Sequence, residues 1–313
     1  MKVKQEHLAL LFQSNSLHHL ILFWCDLPRS IRLPQSPVRH LTLSLRDNCE
    51  HVEPLLGHCS TNLEVLKFIG NLSQLPGSTT LPLFPKLREL TFDETSGSIC
   101  HLNTLISLAP LLEHLTVYGE KNLPSRLPAL STSLNRLSIN RWAINDDDYR
   151  TRPFVHLRHL HVTHFSDGEG DRSGSVIPII QRIFPNLTSL DLDIYQRFRN
   201  HALFFARHLP NVTRLKLNIR WPTACDLDTV PSLSYFPVPE GPLASLHVNV
   251  KHANKPDIET YKRWIIHTVL GPDSRFGGPY LQEVEMVCEE HMFWLYSHGQ
   301  IYEHPCVGDR DFR

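Results

Sequence analysis

The chain has 313 residues, 41% hydrophobic and 20% charged, with a mean hydropathy of −0.22; that is enough apolar side chain for a large buried core and too much for a disordered chain. Lys and Arg number 31 against 32 Asp and Glu, so no basic field exists to hold a phosphate backbone and nucleic acid is not expected as a partner. Seven cysteines without paired spacing argue against a disulfide framework, and no apolar run reaches bilayer-spanning length; the expectation is an intracellular protein, cytoplasmic or nuclear, with no membrane partner.

In chain order, residues 1–16 come first. Leu8, Leu10, Leu11 and Phe12 form one apolar helix face, read either as a minimal cap helix or as the edge of a truncated solenoid. From Leu17 onward a motif recurs: Leu-x-x-Leu-x-(aliphatic or Phe). It reads Leu17/Leu20/Leu22, Val38/Leu41/Leu43, Leu63/Leu66/Phe68, Leu87/Leu90/Phe92, Leu112/Leu115/Val117, Leu134/Leu137/Ile139, Leu157/Leu160/Val162, Leu187/Leu190/Leu192, Val212/Leu215/Leu217 and Leu243/Leu246/Val248, with a weaker eleventh copy at Leu281/Val284/Met286. With 48 leucines in the chain, random order gives about two strict matches where eight occur. Middle anchors lie 21 to 38 residues apart, mostly within or near the leucine-rich-repeat range of roughly 20–29. The last two anchors of each motif are two apart and share one strand face, so each strand needs a return segment before the next parallel strand. Helical returns are expected at Ile99–Ile106 (ending at Pro110), Val176–Ile183 (Pro185), Phe198–Ala206 (Pro210) and Ile258–Val269 (Gly271), and an irregular one from Ser73 to Pro85. Asp167 to Gly174 reads as an acidic insertion. After the last repeat, the apolar run Met292-Phe293-Trp294-Leu295-Tyr296 suits a terminal cap ahead of a polar tail.

Phe84-Pro85-Lys86-Leu87-Arg88-Glu89-Leu90, Phe184-Pro185-Asn186-Leu187-Thr188-Ser189-Leu190, Leu209-Pro210-Asn211-Val212-Thr213-Arg214-Leu215 and Ala109-Pro110-Leu111-Leu112-Glu113-His114-Leu115 carry a resemblance. Over residues 8–290 the chain resembles the irregular repeats of fungal F-box/LRR-like proteins. The resemblance implies a single α/β domain over 1–313: a leucine-rich-repeat solenoid, or horseshoe, of the ribonuclease-inhibitor-like type. Its concave parallel sheet holds about eleven short strands, with helical or irregular convex returns. Residues 1–16 are the cap helix or edge, 17–287 the repeats and 288–313 the C-terminal cap and tail. The resemblance also implies a protein partner on the concave face, recognised as the substrate of a ubiquitin ligase. No F-box precedes Leu17 in this sequence, so a cullin-adaptor link would run through a module this chain lacks; the alternative is a stand-alone scaffold. The Asn or Cys expected at the ninth motif position is present only as Cys25 and Asn71, with Arg46, Trp142 or Tyr195 elsewhere, so the usual side-chain ladder is mostly missing.

The third, fifth and seventh motif positions are expected on the concave face. They hold four Lys/Arg, six Asp/Glu and six His, namely His19, His40, His114, His159, His161 and His247. A histidine-rich face of that kind predicts pH-sensitive binding between about pH 6 and 7.5. Tyr118, Arg136, His159, His161, Asp191 and Arg214, charged or aromatic and mid-arc, are the candidate partner-binding residues. The fifth column places Ser138, His161 and Asp191 in succession, the residue types of a hydrolase row, but parallel side chains on an open sheet do not converge and no oxyanion hole is evident. No enzyme and no cofactor is therefore expected, and His161–Asp191–Lys216 is read as a lateral charge row. Cys49, His51, His58 and Cys59 around a return helix, and His159-x-His161 with His114, match no standard zinc spacing. The Asn-x-Ser/Thr triplets at Asn71, Asn186 and Asn211 are read as accidental.

Overall fold

The computed structural model describes residues 5–14, 16–23, 27, 36–44, 52–69, 81–93, 99–118, 133–143, 153–166, 176–195, 211–220, 244–251, 282–288, 291–297 and 300–303. The expected helices at 198–206 and 258–269, the acidic segment 167–174, and Cys25, Arg46, Cys49, His51 and Asn71 lie outside these described residues. No helix among the described residues is long and apolar enough to cross a membrane. The chain divides into two compact units, Met1–Trp142 with Arg150–Leu157, and Ala143–Tyr149 with Arg158–Arg313.

In the first unit, helix α1 (Gln5–Phe12) precedes strands β1 (His19–Phe23) and β2 (His40–Ser44), helix α2 (Val52–Cys59), strands β3 (Val65–Ile69) and β4 (Glu89–Asp93), helix α3 (Ile99–Ser107), and strands β5 (His114–Tyr118) and β6 (Arg136–Ala143). Each strand lies parallel to the next in chain order, β1 to β6, one per repeat, which is the arrangement of a solenoid. The second unit repeats the scheme with β7 (His159–Ser166), helix α4 (Val176–Ile183), β8 (Ser189–Tyr195), β9 (Arg214–Arg220), β10 (Ser245–Lys251) and β11 (Glu283–Cys288), again parallel and in order. The predicted anchors set the register: Leu41 sits opposite Leu66 and Leu43 opposite Phe68, Leu190 opposite Leu215 and Leu192 opposite Leu217.

The two-residue alternation decides which face is core. In β1 and β3 the burial alternates without exception, anchors in and intervening residues out. Leu66, Phe68, Leu90, Phe92, Leu115 and Val117 are at most 1% exposed, as are Leu190 and Leu192. Burying one such side chain contributes roughly 1.5–3 kcal/mol, so the stack of anchors is the main favourable term of each unit. The helices close the same core: Leu55, Leu56 and Cys59 of α2, Leu102, Leu105 and Ile106 of α3, and Ile180 and Ile183 of α4 are buried. Burial pushes the Cys59 thiol up to about 11, so it packs as a small apolar group.

The Pro just before a strand does more than stop a helix. In Phe84-Pro85-Lys86-Leu87 the Leu87 amide donates to the Phe84 carbonyl at 3.3 Å, and the same i to i+3 bond closes Ala109–Leu112 and Phe184–Leu187. Pro85, Pro110 and Pro185 occupy the second turn position, for which their fixed φ is suited. Phe84, Ala109 and Phe184, the first residues of these turns, are buried. Past the turn, within each unit a parallel strand is hung from its predecessor by one carbonyl that accepts two amides. His18 O accepts Arg39 N and His40 N, Arg39 O accepts Glu64 N and Val65 N, and Glu64 O accepts Arg88 N and Glu89 N, with all distances between 2.7 and 3.1 Å. In the second unit Arg158 O, Thr188 O, Thr213 O and Ala244 O play the same part.

A side-chain ladder runs beside this rail. Trp142 and Tyr195, which fill the ninth motif position in their repeats, fall within β6 and β8. The ladder uses the residue before the first anchor, which donates to a carbonyl one turn back: Asn62 Nδ2 to Ser36 O at 3.1 Å, Ser133 Oγ to Pro110 O at 3.1 Å and Asn211 Nδ2 to Pro185 O at 3.0 Å. Asn211→Ala is expected to cost about 0.5–1.5 kcal/mol, the net worth of one such bond; an unchanged urea midpoint would show that the backbone rail suffices alone.

One feature departs from expectation. α1 does not present Leu8, Leu10, Leu11 and Phe12 on one inward face. Leu8 and Phe12, four apart, are buried, whereas Leu10 is 68% and Leu11 41% exposed; a helix of eight residues turns only one narrow stripe inward. The C-terminal apolar run, expected as a terminal cap, lies in a strand, β12 (His291–Ser297), which pairs antiparallel with β11 and is followed by antiparallel β13 (Gln300–Glu303). The sheet of the second unit thus continues past the last repeat as a hairpin.

The Phe12 ring lies 5.0 Å from the His58 ring of α2, and His58 Nε2 is buried with no hydrogen-bond partner. Desolvation lowers the His58 pKa below the ordinary 6.5. The fold therefore holds neutral imidazole while the unfolded chain takes up a proton near pH 6.5. This contribution to stability is full above about pH 6.5 and is lost as the pH falls toward the folded-state value. His58→Leu is expected to narrow the Tm difference between pH 7.5 and 5.5; an undiminished difference would place the acid sensitivity elsewhere.

Candidate interaction face

The residues between anchors stand in lateral columns on the face opposite the core. In the first unit the third-position column runs His19, His40, Val65, Glu89, His114, Arg136; the fifth runs Ile21, Thr42, Lys67, Thr91, Thr116, Ser138; the seventh runs Phe23, Ser44, Ile69, Asp93, Tyr118. These are partners in parallel register, the predicted columns without a slip. Three large apolar side chains open to solvent here: Ile21 at 57%, Phe23 at 60% and Ile69 at 38%, and Tyr118 is 39% exposed. Their neighbours in sequence are core residues, so the chain places them outward by parity alone.

Charges on and beside this face pair laterally. His114 Nδ1 lies 3.3 Å from Glu89 Oε1, Arg39 pairs with Glu64 at 3.6 Å, and Arg88 pairs with Glu113. The His19 and His40 rings are 4.1 Å apart. Desolvation and, after it, the charge of His19 lower the His40 pKa, against the opposing pull of Glu64 and Glu89. His40 thus stays neutral to lower pH than a free imidazole.

In the second unit the third column runs His159, Ser189, Arg214, Ser245, Glu283; the fifth runs His161, Asp191, Lys216, His247, Glu285; the seventh includes Asp193, Asn218 and Asn249. The expected charge row is present: His161 faces Asp191 across β7 and β8, and Lys216 Nζ lies 3.6 Å from Asp191 Oδ2. The row ends in a second pair, His247 Nδ1 to Glu285 Oε2 at 2.5 Å. Beneath it, Asn218 Nδ2 donates to Asp193 Oδ1 at 2.6 Å and to Asp191 Oδ1 at 3.1 Å. Asp193 and Asn218 are only 7% and 8% exposed.

The structure therefore gathers four of the six predicted binding residues, His159, His161, Asp191 and Arg214, on one face of β7–β9. Tyr118 and Arg136 stand on the corresponding face of β5 and β6, Arg136 opposite His114 and Tyr118 opposite Asp93. Ser138 belongs to the first unit and the His161–Asp191 pair to the second. His161 groups with Asp191 and Asp193, their ligating atoms all within 4.8 Å of one another, a set that was not singled out from sequence. Asp193 and Asn218 were not singled out from sequence. The readable signal is a polar residue at the seventh position of repeats whose strand continues in apolar alternation, as in Asp191-Leu192-Asp193-Ile194 and Lys216-Leu217-Asn218-Ile219. No family model, no curated protein and no solved structure matches this chain.

Proposed function

We propose that the third, fifth and seventh columns form a protein-binding surface, and that the chain is a leucine-rich-repeat horseshoe serving substrate recognition in the manner of F-box/LRR ubiquitin-ligase subunits. The supporting observation is the composition of the open face of the first unit. Ile21, Phe23, Ile69 and Tyr118 are exposed beside Lys67, His19 and Arg136, a mixture of apolar and aromatic anchors with polar surroundings that suits a protein interface. The ligase assignment rests on the resemblance of the Phe-Pro-x-Leu repeats and on that alone. No catalytic step is part of this reading.

The test is recovery of bound proteins on the tagged full chain from cells, with Tyr118→Ala combined with Arg136→Glu as the face variant and Lys86→Ala as an off-face control. A specific partner kept by the control and lost by the face variant supports the reading. A partner lost equally from both, or from neither, counts against this surface. Co-recovery of a cullin adaptor supports the ligase link; a specific partner without it makes the chain a stand-alone scaffold.

A further inference from the structure

We propose that His161, Asp191 and Asp193 form a binding site for a single zinc-class divalent cation on the open face of the second unit. Three observations lead there. The donor set is mixed, one imidazole and two carboxylates, and its ligating atoms lie within 4.8 Å of one another, so small rotamer changes bring all three to one ion. Strand geometry supplies this closeness: Asp191 and Asp193, two apart on β8, face the same side, and His161 on β7 is the register partner of Asp191. Burial is the second observation. Asp193 is 7% exposed, and a carboxylate so placed is stabilised by cations and hydrogen bonds within reach. Third, Asn218 holds Oδ1 of both carboxylates, an outer partner that orients ligands without occupying all their lone pairs.

The charge balance fits a divalent ion. With neutral imidazole the group carries two negative charges, and Lys216, half-exposed on β9 and 3.6 Å from Asp191 Oδ2, supplies one positive charge. Lys216 is thus a competitor for Asp191. When the ion binds, its ammonium moves out to water, where a long exposed side chain is readily solvated. Imidazole with carboxylate suits Zn2+ and its neighbours Co2+ and Ni2+, whereas Mg2+ and Ca2+ prefer all-oxygen sets. Three protein ligands leave a coordination position open toward the face.

The experiment is calorimetric titration of the chelator-treated full chain with ZnCl2, repeated with Co2+ by visible absorption. One equivalent is expected to bind in the micromolar range or tighter and to survive millimolar Mg2+. His161→Ala and Asp193→Asn are expected to weaken it by about 100-fold, at or beyond the limit reached when only an outer partner is lost. Lys216→Ala is expected to tighten it several-fold, which a merely structural cluster would not do. Since Asp193 is buried, circular dichroism checks that its variant folds; half-exposed His161 and exposed Lys216 provide the decision if it does not. Absence of a one-equivalent site, or a site that His161→Ala and Lys216→Ala leave unchanged, overturns the proposal.

Discussion

Phe68→Ala is expected to cost about 3–5 kcal/mol, while Ile69→Ala, one residue further along β3, is expected to change stability by no more than about 0.5 kcal/mol. Phe68 is 0% exposed and sits between Leu43 and Phe92 in the register of β2, β3 and β4. Its removal leaves a void bounded by neighbouring repeats, and the backbone rail on either side prevents those strands from closing over it. Ile69 points the other way and is 38% exposed. The pair is a direct test of strand parity, because both lose a large apolar side chain in the same strand. Urea unfolding gives the comparison. Similar midpoints for the two variants would mean that β3 has no inside and outside, and the columns of the interaction face would lose their basis.

The second large effect is expected at Asn218. Asn218→Leu removes the donor shared by Asp191 and Asp193 and leaves the buried Asp193 carboxylate with one hydrogen bond fewer, at about 2–3 kcal/mol. Asn249, next in the same column on β10, gives the contrast. Its Oδ1 is buried without a hydrogen-bond partner, so Asn249→Leu removes an unmet polar group and is expected to be neutral or mildly stabilising. Both variants are compared by thermal unfolding in the presence of chelator, so that a bound cation does not mask the difference. Equal losses would show that the column stabilises by amide packing and not by charge-assisted bonding.

The sequence made the strands legible because two constraints coincide in each repeat. Leu90 and Phe92 must face inward together, and the segment from Phe84 to Leu87 must turn before them; both leave a local trace. Register followed without further information, since shifting β4 by one residue would expose both anchors. The returns at α3 and α4 were equally visible, with apolar residues at helical spacing ahead of Pro110 and Pro185. The features that stayed hidden depend on partners distant in sequence. The Asn211 amide shows nothing of its bond to Pro185 O unless the preceding turn is already in place. The run from Met292 to Tyr296 is apolar on both parities, so it carried no two-residue period to announce β12. Asp193 and Asn218 look like surface residues in isolation, and their burial and mutual hydrogen bond show only once β8 and β9 lie side by side. For the interaction face, the columns and the His161–Asp191–Lys216 row were legible, whereas the bonds from Asn218 to Asp191 and Asp193 were not, because they are set by rotamers.

Within each unit one carbonyl per repeat suspends a parallel strand from the one before it, and nothing in that attachment measures the length of chain between them. Gaps of 21 residues and of 38 are equally acceptable to it. Insertions and deletions between one strand and the next can therefore accumulate over generations without changing the register of the strands. The columns of the open face and the segments that join the strands are then free to change in sequence at different speeds, each nearly blind to the other.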